Sequence, residues 1–221
     1  MVPIFITGIG TGVGKTLISA IVTEALGAHY WKPVQAGFAD GTDSEWVGER
    51  ISAVNAQGGG PEAASRIVPE LYKLKLPASP HIAAREEGIV ISLDKIAGAL
   101  PAVSPLVVEG AGGLLVPLNE REFVLDLVKK LDAFVILVSR NYLGSINHSL
   151  LTAEVCRSHG LRVAGWIFND QYLHYEQEVV SWSGVPRIGS VPFQGSPDAE
   201  FVRKQAGLIG PALRKVLGIN Q

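Results

Sequence analysis

The chain has 221 residues, of which 47% are hydrophobic and 18% are charged, and its formal net charge is −2. This charge gives no electrostatic basis for binding nucleic acid or an anionic membrane. The length suits one α/β domain over residues 1–221, with two small domains as the alternative. No apolar run reaches the roughly 20 residues that span a bilayer, and the single Cys156 has no disulfide partner within the chain. We therefore expect a cytoplasmic protein.

Short apolar segments alternate with amphipathic ones along the chain. In chain order we predict strand 2–7, helix 15–26, strand 29–34, helix 44–56, a surface turn at 57–64, helices 79–87 and 92–100, strands 106–109 and 133–139, helix 146–158, strand 162–168, helix 172–181, strand 187–191 and helix 198–217. The later strands are continuous apolar runs, which are typical of parallel strands covered on both faces. The pattern predicts a doubly wound, three-layer α/β fold with a mostly parallel central sheet.

The segment TGIGTGVGKT, residues 7–16, lies between the first predicted strand and the first helix. Glycines let backbone N–H groups converge on an anion, and a helix N-terminus favours negative charge. We therefore predict a P-loop that binds a nucleoside triphosphate, with Lys15 on the outer phosphates and the Thr16 hydroxyl on Mg²⁺. The common spacing G-x4-GK[ST] would need glycine where Ile9 stands, and counted from Gly8 the loop is one residue longer. The alternative is a glycine-rich turn without a ligand.

Three charged residues near the predicted strand ends are candidates for the same site. Glu109 ends the apolar run LVVE, at the edge of the sheet where ligands bind in open α/β folds. It is a candidate ligand of Mg²⁺, which prefers oxygen, and the alternative is a solvated carboxylate. Asp43, in the loop FADGTDS, is either a second ligand or the cap of the next helix. Lys32, in the apolar segment HYWKPVQ, is either functional or a surface lysine with a buried stem.

The ordered set of motifs resembles dethiobiotin synthetase, an ATP-dependent enzyme family of biotin synthesis. The likeness is carried by TGIGTGVGKT, WKPVQAG, the loop with Asp43, SPHIAAREEG, VEGAGGLLVPL, LGSINHSLLTAE, GWIFND and VPF. The resemblance implies a P-loop fold and a homodimer acting on 7,8-diaminononanoate, carbon dioxide and MgATP. In the implied reaction one amine captures CO₂ as a carbamate, which attacks the γ-phosphate. The second amine then closes the ureido ring and releases phosphate.

The resemblance also implies roles for individual residues. Lys32 and Lys15 would be catalytic, and Thr16, Asp43 and Glu109 would hold Mg²⁺. The residues implied to bind ATP are Gly12, Val13, Gly14, Lys15, Thr16, Leu17, Asp43, Glu109, Gly110, Ala111, Gly112, Asn169, Asp170, Pro192 and Phe193. The residues implied to bind the diamine are Thr11, Lys32, Ala36, Gly113, Gly144 and Asn147. Gly144 and Asn147 would reach across the dimer, and Asp198 is a candidate ribose contact.

Two positions depart from the family pattern. Gly12 stands where the family often carries an acidic residue, and Ala36 stands where it often carries Ser or Thr. Both are expected near the diamine. A lost hydroxyl removes one hydrogen bond, worth about 0.5–1.5 kcal/mol, which is too little to change the class of reaction.

Two other functions stay open on the sequence. A corrin-type amidoligase would need a glutaminase domain with a nucleophilic cysteine, and Cys156, within predicted helix 146–158, is poorly placed for this role. A ParA/MinD-like ATPase switch would carry a lysine early in the phosphate loop, where this chain has Gly10.

Overall fold

The computed structural model describes residues 2–51, 66–170 and 173–219. In chain order the elements are β1 (Ile4–Gly8), α1 (Lys15–Leu26), β2 (His29–Trp31), β3 (Val34–Ala36), α2 (Asp43–Gly48), β4 (Ile67–Val68), β5 (Tyr72–Leu74), α3 (Pro80–Glu86), α4 (Leu93–Gly98), β6 (Leu106–Gly113), α5 (Val124–Lys130), β7 (Phe134–Arg140), α6 (Ser145–Ser158), β8 (Arg162–Asn169), α7 (Glu176–Ser183), β9 (Arg187–Val191) and α8 (Ala199–Leu217). None of these helices is long and apolar enough to cross a membrane.

A parallel sheet forms the centre of the fold and confirms the predicted class. Its strand order is β4-β2-β6-β1-β7-β8-β9, and β3 and β5 form a separate parallel pair. Apolar clusters cover both faces, because successive strand residues point to opposite sides. On β1, Phe5 packs in one cluster, whereas Ile4 and Ile6 pack in the other. The strands are continuous apolar runs because, as predicted, the parallel sheet is covered on both faces.

The order of the strands brings the candidate residues to one edge of the sheet. β6 lies between β1 and β2, with Glu109 opposite Ile6 and Val108 opposite Trp31. The P-loop therefore follows the strand beside Glu109, and Lys32 follows the strand on its other side. In open parallel sheets this carboxyl edge is the place where ligands bind.

The single strand predicted at 29–34 was wrong. The chain leaves the central sheet after β2, turns at Pro33, and enters the small sheet as β3. Proline has no N–H with which to extend a ladder. Its carbonyl instead accepts hydrogen bonds from the N–H groups of Leu71 and Tyr72, at 3.1 and 2.9 Å, beside the start of β5.

The strand predicted to end at Glu109 was too short, because β6 continues through the glycines to Gly113. These glycines fit a crowded part of the sheet. A Cβ on Gly113 would lie 3.1 Å from the carbonyl oxygen of Gly8, and one on Gly110 would lie 2.7 Å from the ring of Phe5. A composition typical of loops is used here for close packing of strands.

The helix predictions need three corrections. Predicted helix 44–56 was too long, since α2 ends at Gly48; residues 52–56 and the predicted turn 57–64 lie outside the described residues. Predicted helix 172–181 begins later, at Glu176, and its first residue is outside the described part. The sequence analysis missed α5 and the short strands β3, β4 and β5, which are too brief for a periodic signal.

Candidate active site

The conformation of the P-loop between β1 and α1 depends on its glycines and on a hydrogen bond from Lys15 back to the loop. Gly12 and Gly14 have positive φ angles of 73° and 92°, which residues with a Cβ rarely adopt. Lys15 Nζ donates a hydrogen bond to the carbonyl oxygen of Gly10 at 2.8 Å. Burial lowers the pKa of Lys15 to about 8, although the Glu109 carboxylate opposes this shift. A phosphate group beside this ammonium would favour its charged form.

Glu109 is the centre of the charged cluster and is only 1% exposed. Its Oε1 accepts hydrogen bonds from the Thr16 hydroxyl and from Lys32 Nζ, both at 3.0 Å. Its Oε2 accepts one from the hydroxyl of Tyr30 at 2.8 Å. Lys32 also forms an ion pair with Asp43. One lysine thus bridges the two carboxylates at the edge of the sheet.

The structure excludes the non-functional alternatives for Lys32 and Asp43, a surface lysine and a helix cap. Lys32 is 6% exposed, so it is not a surface lysine. Burial lowers its pKa, but Glu109 and Asp43 raise it by more, so that its pKa is above the ordinary value and it stays cationic. The cap of α2 is Thr42, whose hydroxyl accepts a hydrogen bond from the N–H of Glu45 at 3.1 Å. The side chain of Asp43 is therefore not the cap.

Tyr30 belongs to the cluster and was missed by the sequence analysis. It is fully buried, and burial, followed by the Glu109 charge, raises its pKa well above the ordinary value. The phenol therefore donates to the carboxylate over the whole working pH range. A signal existed, because Tyr30 precedes Lys32 by two residues within the predicted strand 29–34, and side chains at that spacing share a face of a strand.

Replacing Tyr30 with phenylalanine should lower the free energy of unfolding by about 1.5–3 kcal/mol, because the buried Glu109 carboxylate loses a hydrogen bond. Urea denaturation measures this change. Tyr142→Phe is the matched control, since that hydroxyl bonds to His148 Nδ1 in an exposed position and its loss should cost about 0.5 kcal/mol or less. Equal effects of the two substitutions would contradict a supporting role for Tyr30.

A pocket of about 700 Å³ opens in front of the cluster. The predicted site residues that line it are Thr11, Gly12, Gly14, Lys15, Thr16, Lys32, Ala36, Asp43, Glu109, Ala111 and Gly112. The sequence analysis had not assigned other lining residues to the site, including Val34 and Gln35 of the β3 segment and the run 77–80 before and at the start of α3. Because Gly12 and Ala36 both line the pocket, the two departures from the family pattern face the same space.

The other predicted residues do not line this pocket. Asn169 donates from Nδ2 to the carbonyl oxygen of Val13 at 3.0 Å. Asp170 pairs with Arg140 at 3.1 Å. Asp198, the candidate ribose contact, caps α8 by accepting a hydrogen bond from the N–H of Phe201 at 2.8 Å. The remaining predicted residues outside the pocket lining are Val13, Leu17, Gly110, Gly113, Gly144, Asn147, Pro192 and Phe193.

The donor set fits a magnesium ion. Thr16 offers a hydroxyl oxygen, and Asp43 and Glu109 offer carboxylate oxygens, which are the ligands that Mg²⁺ prefers. The Thr16 hydroxyl is 3.0 Å from Glu109 Oε1, and Lys32 already links the two carboxylates. Within the described residues no group of three His, Cys, Asp or Glu side chains could hold a metal. Phosphate and water oxygens would therefore complete the coordination.

Cys156 has none of the properties of a nucleophile. It is buried within α6, and burial raises its pKa to about 12. The thiolate, which is the reactive form, is therefore scarce at neutral pH. This argues against the glutaminase chemistry that a corrin-type amidoligase would need.

The fold and the site define a P-loop nucleotide-binding protein of the α/β class. A family model described as an AAA domain matches residues 3–200. The ATP-dependent dethiobiotin synthetase BioD of Novosphingobium aromaticivorans is 44% identical over 199 residues, which cover 90% of this chain and 91% of that protein. The enzyme of the same name from Cytophaga hutchinsonii is 50% identical over 165 residues, 75% of each chain. The chain belongs to the ATP-dependent dethiobiotin synthetase family.

Solved structures of more distant proteins share the fold. The MinD cell division protein of Aquifex aeolicus has a TM-score of 0.60 over 100% of this chain and 99% of its own, at 15% identity. A ParA family ATPase from Chlorobium tepidum has a TM-score of 0.55 over 100% and 95%, at 12% identity. At such identities the likeness shows the fold alone, so it lends no support to a partitioning or cell-division role.

Proposed function

We propose that this chain catalyses, in the cytoplasm, the MgATP-dependent conversion of 7,8-diaminononanoate and CO₂ to dethiobiotin, ADP and phosphate. Kinship over nine-tenths of the chain supports the reaction. The observation that carries the proposal is the buried Lys32, ion-paired with Asp43 and Glu109 in the pocket that also holds Lys15. Two cations and two carboxylates in one pocket support phosphoryl transfer as the chemistry of this site.

The P-loop side of the pocket would hold the triphosphate. Phosphoryl transfer depends on positioning and charge neutralisation more than on covalent help from the protein. Lys15 would contact the outer phosphates, while Thr16, Asp43 and Glu109 would hold Mg²⁺. When bound, Mg²⁺ supplies positive charge to the β- and γ-phosphates. Asn169 ends β8, Asp170 follows it, and Pro192 and Phe193 follow β9. We assign these four residues to the nucleoside.

The opposite wall, formed by the β3 segment and the start of α3, would hold the diamine. One amine captures CO₂ as a carbamate, and a carbamate oxygen attacks the γ-phosphate with ADP leaving. The second amine then attacks the carbamoyl carbon, which closes the ring and releases phosphate. Lys32 lies between the two walls and would neutralise the carbamate and the transferred phosphoryl group. Holding the second amine beside the activated carbonyl makes the closure effectively unimolecular.

The direct test is to supply the purified chain with 7,8-diaminononanoate, bicarbonate and MgATP and to measure ADP and dethiobiotin together. We expect one ADP for each dethiobiotin and no turnover without the diamine. ATP hydrolysis that is independent of the diamine would contradict the proposal and favour an ATPase switch.

We further propose that the chain works as a homodimer through an apolar patch formed by Leu115, Leu151 and Trp182. These side chains are 56%, 57% and 60% exposed. Leu115 and Leu151 line one surface pocket, and Leu151 and Trp182 line the next, so the patch is continuous. A continuous exposed apolar patch of this kind is typical of a protein interface. Asn147 lines the second pocket. This position at the patch supports the proposal that Asn147 contacts the diamine bound by the other subunit.

Replacing Leu151 with arginine should convert the dimer to a monomer, because a charge would be buried in the centre of the patch. Analytical ultracentrifugation measures the change. Leu208→Arg is the matched control, because Leu208 is 67% exposed on α8 and should leave the mass unchanged. A wild-type chain that sediments as a monomer at micromolar concentration would contradict the dimer.

A further inference from the structure

We propose that Asn169 is a positioning residue of the P-loop, acting through the carbonyl group of Val13. Its Nδ2 donates to that carbonyl oxygen at 3.0 Å and joins residues 156 positions apart. The inference rests on the proposed function only in requiring that the loop bind a triphosphate. This role is separate from the assignment of Asn169 to the nucleoside. A residue that shapes the loop would affect the binding of a ligand that has phosphates but no base.

The hydrogen bond orients the peptide unit between Val13 and Gly14. In a trans peptide the C=O and N–H groups point in opposite directions, and the described residues contain one cis bond, at Ser104–Pro105. Since the Val13 carbonyl faces Asn169, the N–H of Gly14 faces away from it. Gly14 lines the main pocket beside Lys15. The bond thus directs a backbone donor toward the place where phosphate would bind.

Gly14 needs this support because glycine resists rotation less than other residues do. Its φ of 92° lies in the left-handed region, at the cap of α1. A Cβ at this position would overlap Nδ2 of Asn169, so the amide packs directly against the Gly14 backbone. The contact therefore combines a hydrogen bond with close packing, and both oppose a flip of the peptide.

Asn169 is itself rigidly mounted. It is the last residue of β8 and pairs with Arg140 of β7 on one side and Val191 of β9 on the other. The next residue, Asp170, donates its N–H to the carbonyl of Val191 at 3.0 Å and forms an ion pair with Arg140 at 3.1 Å. Because the central sheet holds Asn169 in place, its side chain can hold the Val13 carbonyl group in a fixed orientation.

The test uses inorganic tripolyphosphate with Mg²⁺, which has phosphates but neither ribose nor base. In titration calorimetry, Asn169→Leu should weaken tripolyphosphate binding about two- to tenfold, the value of one hydrogen bond, and should weaken ATP binding at least as much. Phe193→Ala is the matched control, because Phe193 is 68% exposed beyond β9 and is assigned to the base. It should weaken ATP binding and leave tripolyphosphate binding unchanged.

Unchanged tripolyphosphate binding by Asn169→Leu, with weaker ATP binding, would overturn the proposal and assign Asn169 to the base alone. Thermal melting without ligand shows whether each variant is folded. Asn169→Ala, which removes atoms without adding any, gives the same reading if the leucine variant does not fold. A wild-type chain that made no dethiobiotin would contradict the proposed function, yet its tripolyphosphate binding would still decide this inference.

Discussion

Replacing Lys32 with methionine should abolish ring closure and, at the same time, make the protein respond to Mg²⁺ without a nucleotide. The lysine neutralises Asp43 and the buried Glu109 in the structure. Without it the two carboxylates repel each other next to the Thr16 hydroxyl, and a divalent cation can take the place of the ammonium. We expect the rate of dethiobiotin formation to fall by about 10²–10³-fold or more, as for other electrostatic groups of active sites.

Two measurements check this prediction. In EDTA the variant should melt below the wild type, because a buried charge has lost its partner, and added MgCl₂ should raise its melting temperature more than that of the wild type. Lys73→Met is the matched control, since the side chain of Lys73 is 43% exposed and makes surface contacts, a 4.0 Å pair with Glu45 and a 4.8 Å approach to the ring of Phe38. Wild-type turnover by Lys32→Met would remove the residue from the mechanism, and an equal response to Mg²⁺ would contradict its counter-ion role.

Raising the pH from 7 to 9 should weaken MgATP binding by the wild type about tenfold, through Lys15. Burial lowers the pKa of this lysine to about 8, so it is cationic below that pH and loses its charge above it. Binding to the phosphates favours the protonated form, and the affinity falls by up to about tenfold for each pH unit above the pKa. Calorimetry at pH 7, 8 and 9 measures the dependence.

Lys15→Met should weaken ATP binding at every pH and abolish the dependence in this range. The loss at pH 7 should be about 1.5–3 kcal/mol, the value of a charged hydrogen bond. Lys32 is one of the charges that lower the pKa of Lys15, so the midpoint should move to higher pH in Lys32→Met. A dependence that persists in Lys15→Met would assign the titration to another group.

The parts of the fold that have a local cause could be predicted from the sequence. The P-loop follows from its glycines and from Lys15 at the start of a helix. The helix start at Leu93 follows from Ser92, whose hydroxyl accepts a hydrogen bond from the N–H of Lys95. The helix start at Pro80 follows from the proline itself, which favours the first turn of a helix. The short strands β3 and β5 could not be predicted, because three residues carry no periodic signal and the pairing joins segments distant in the chain.

The candidate site was predictable as a set of residues but not as a network. The bond from Tyr30 to Glu109 spans 79 positions, and nothing in either local segment specifies the partner. The sequence does contain the information that Asp43 is not the cap of α2. Thr42 and Glu45 have the spacing of a capping box, which the structure contains. That motif assigns the cap to Thr42 and leaves Asp43 available for the site.

The passage of the chain from the central sheet to the small sheet after β2 divides the pocket into two structural modules. The P-loop and Glu109 belong to the central sheet, whereas Val34, Gln35 and Ala36 belong to the small sheet with β5. Lys32 lies at the junction and serves both. Substitutions in the small sheet could therefore alter the preferred amine over evolutionary time while the central sheet keeps its phosphate chemistry. The two modules can diverge at different rates, provided that the lysine between them is retained.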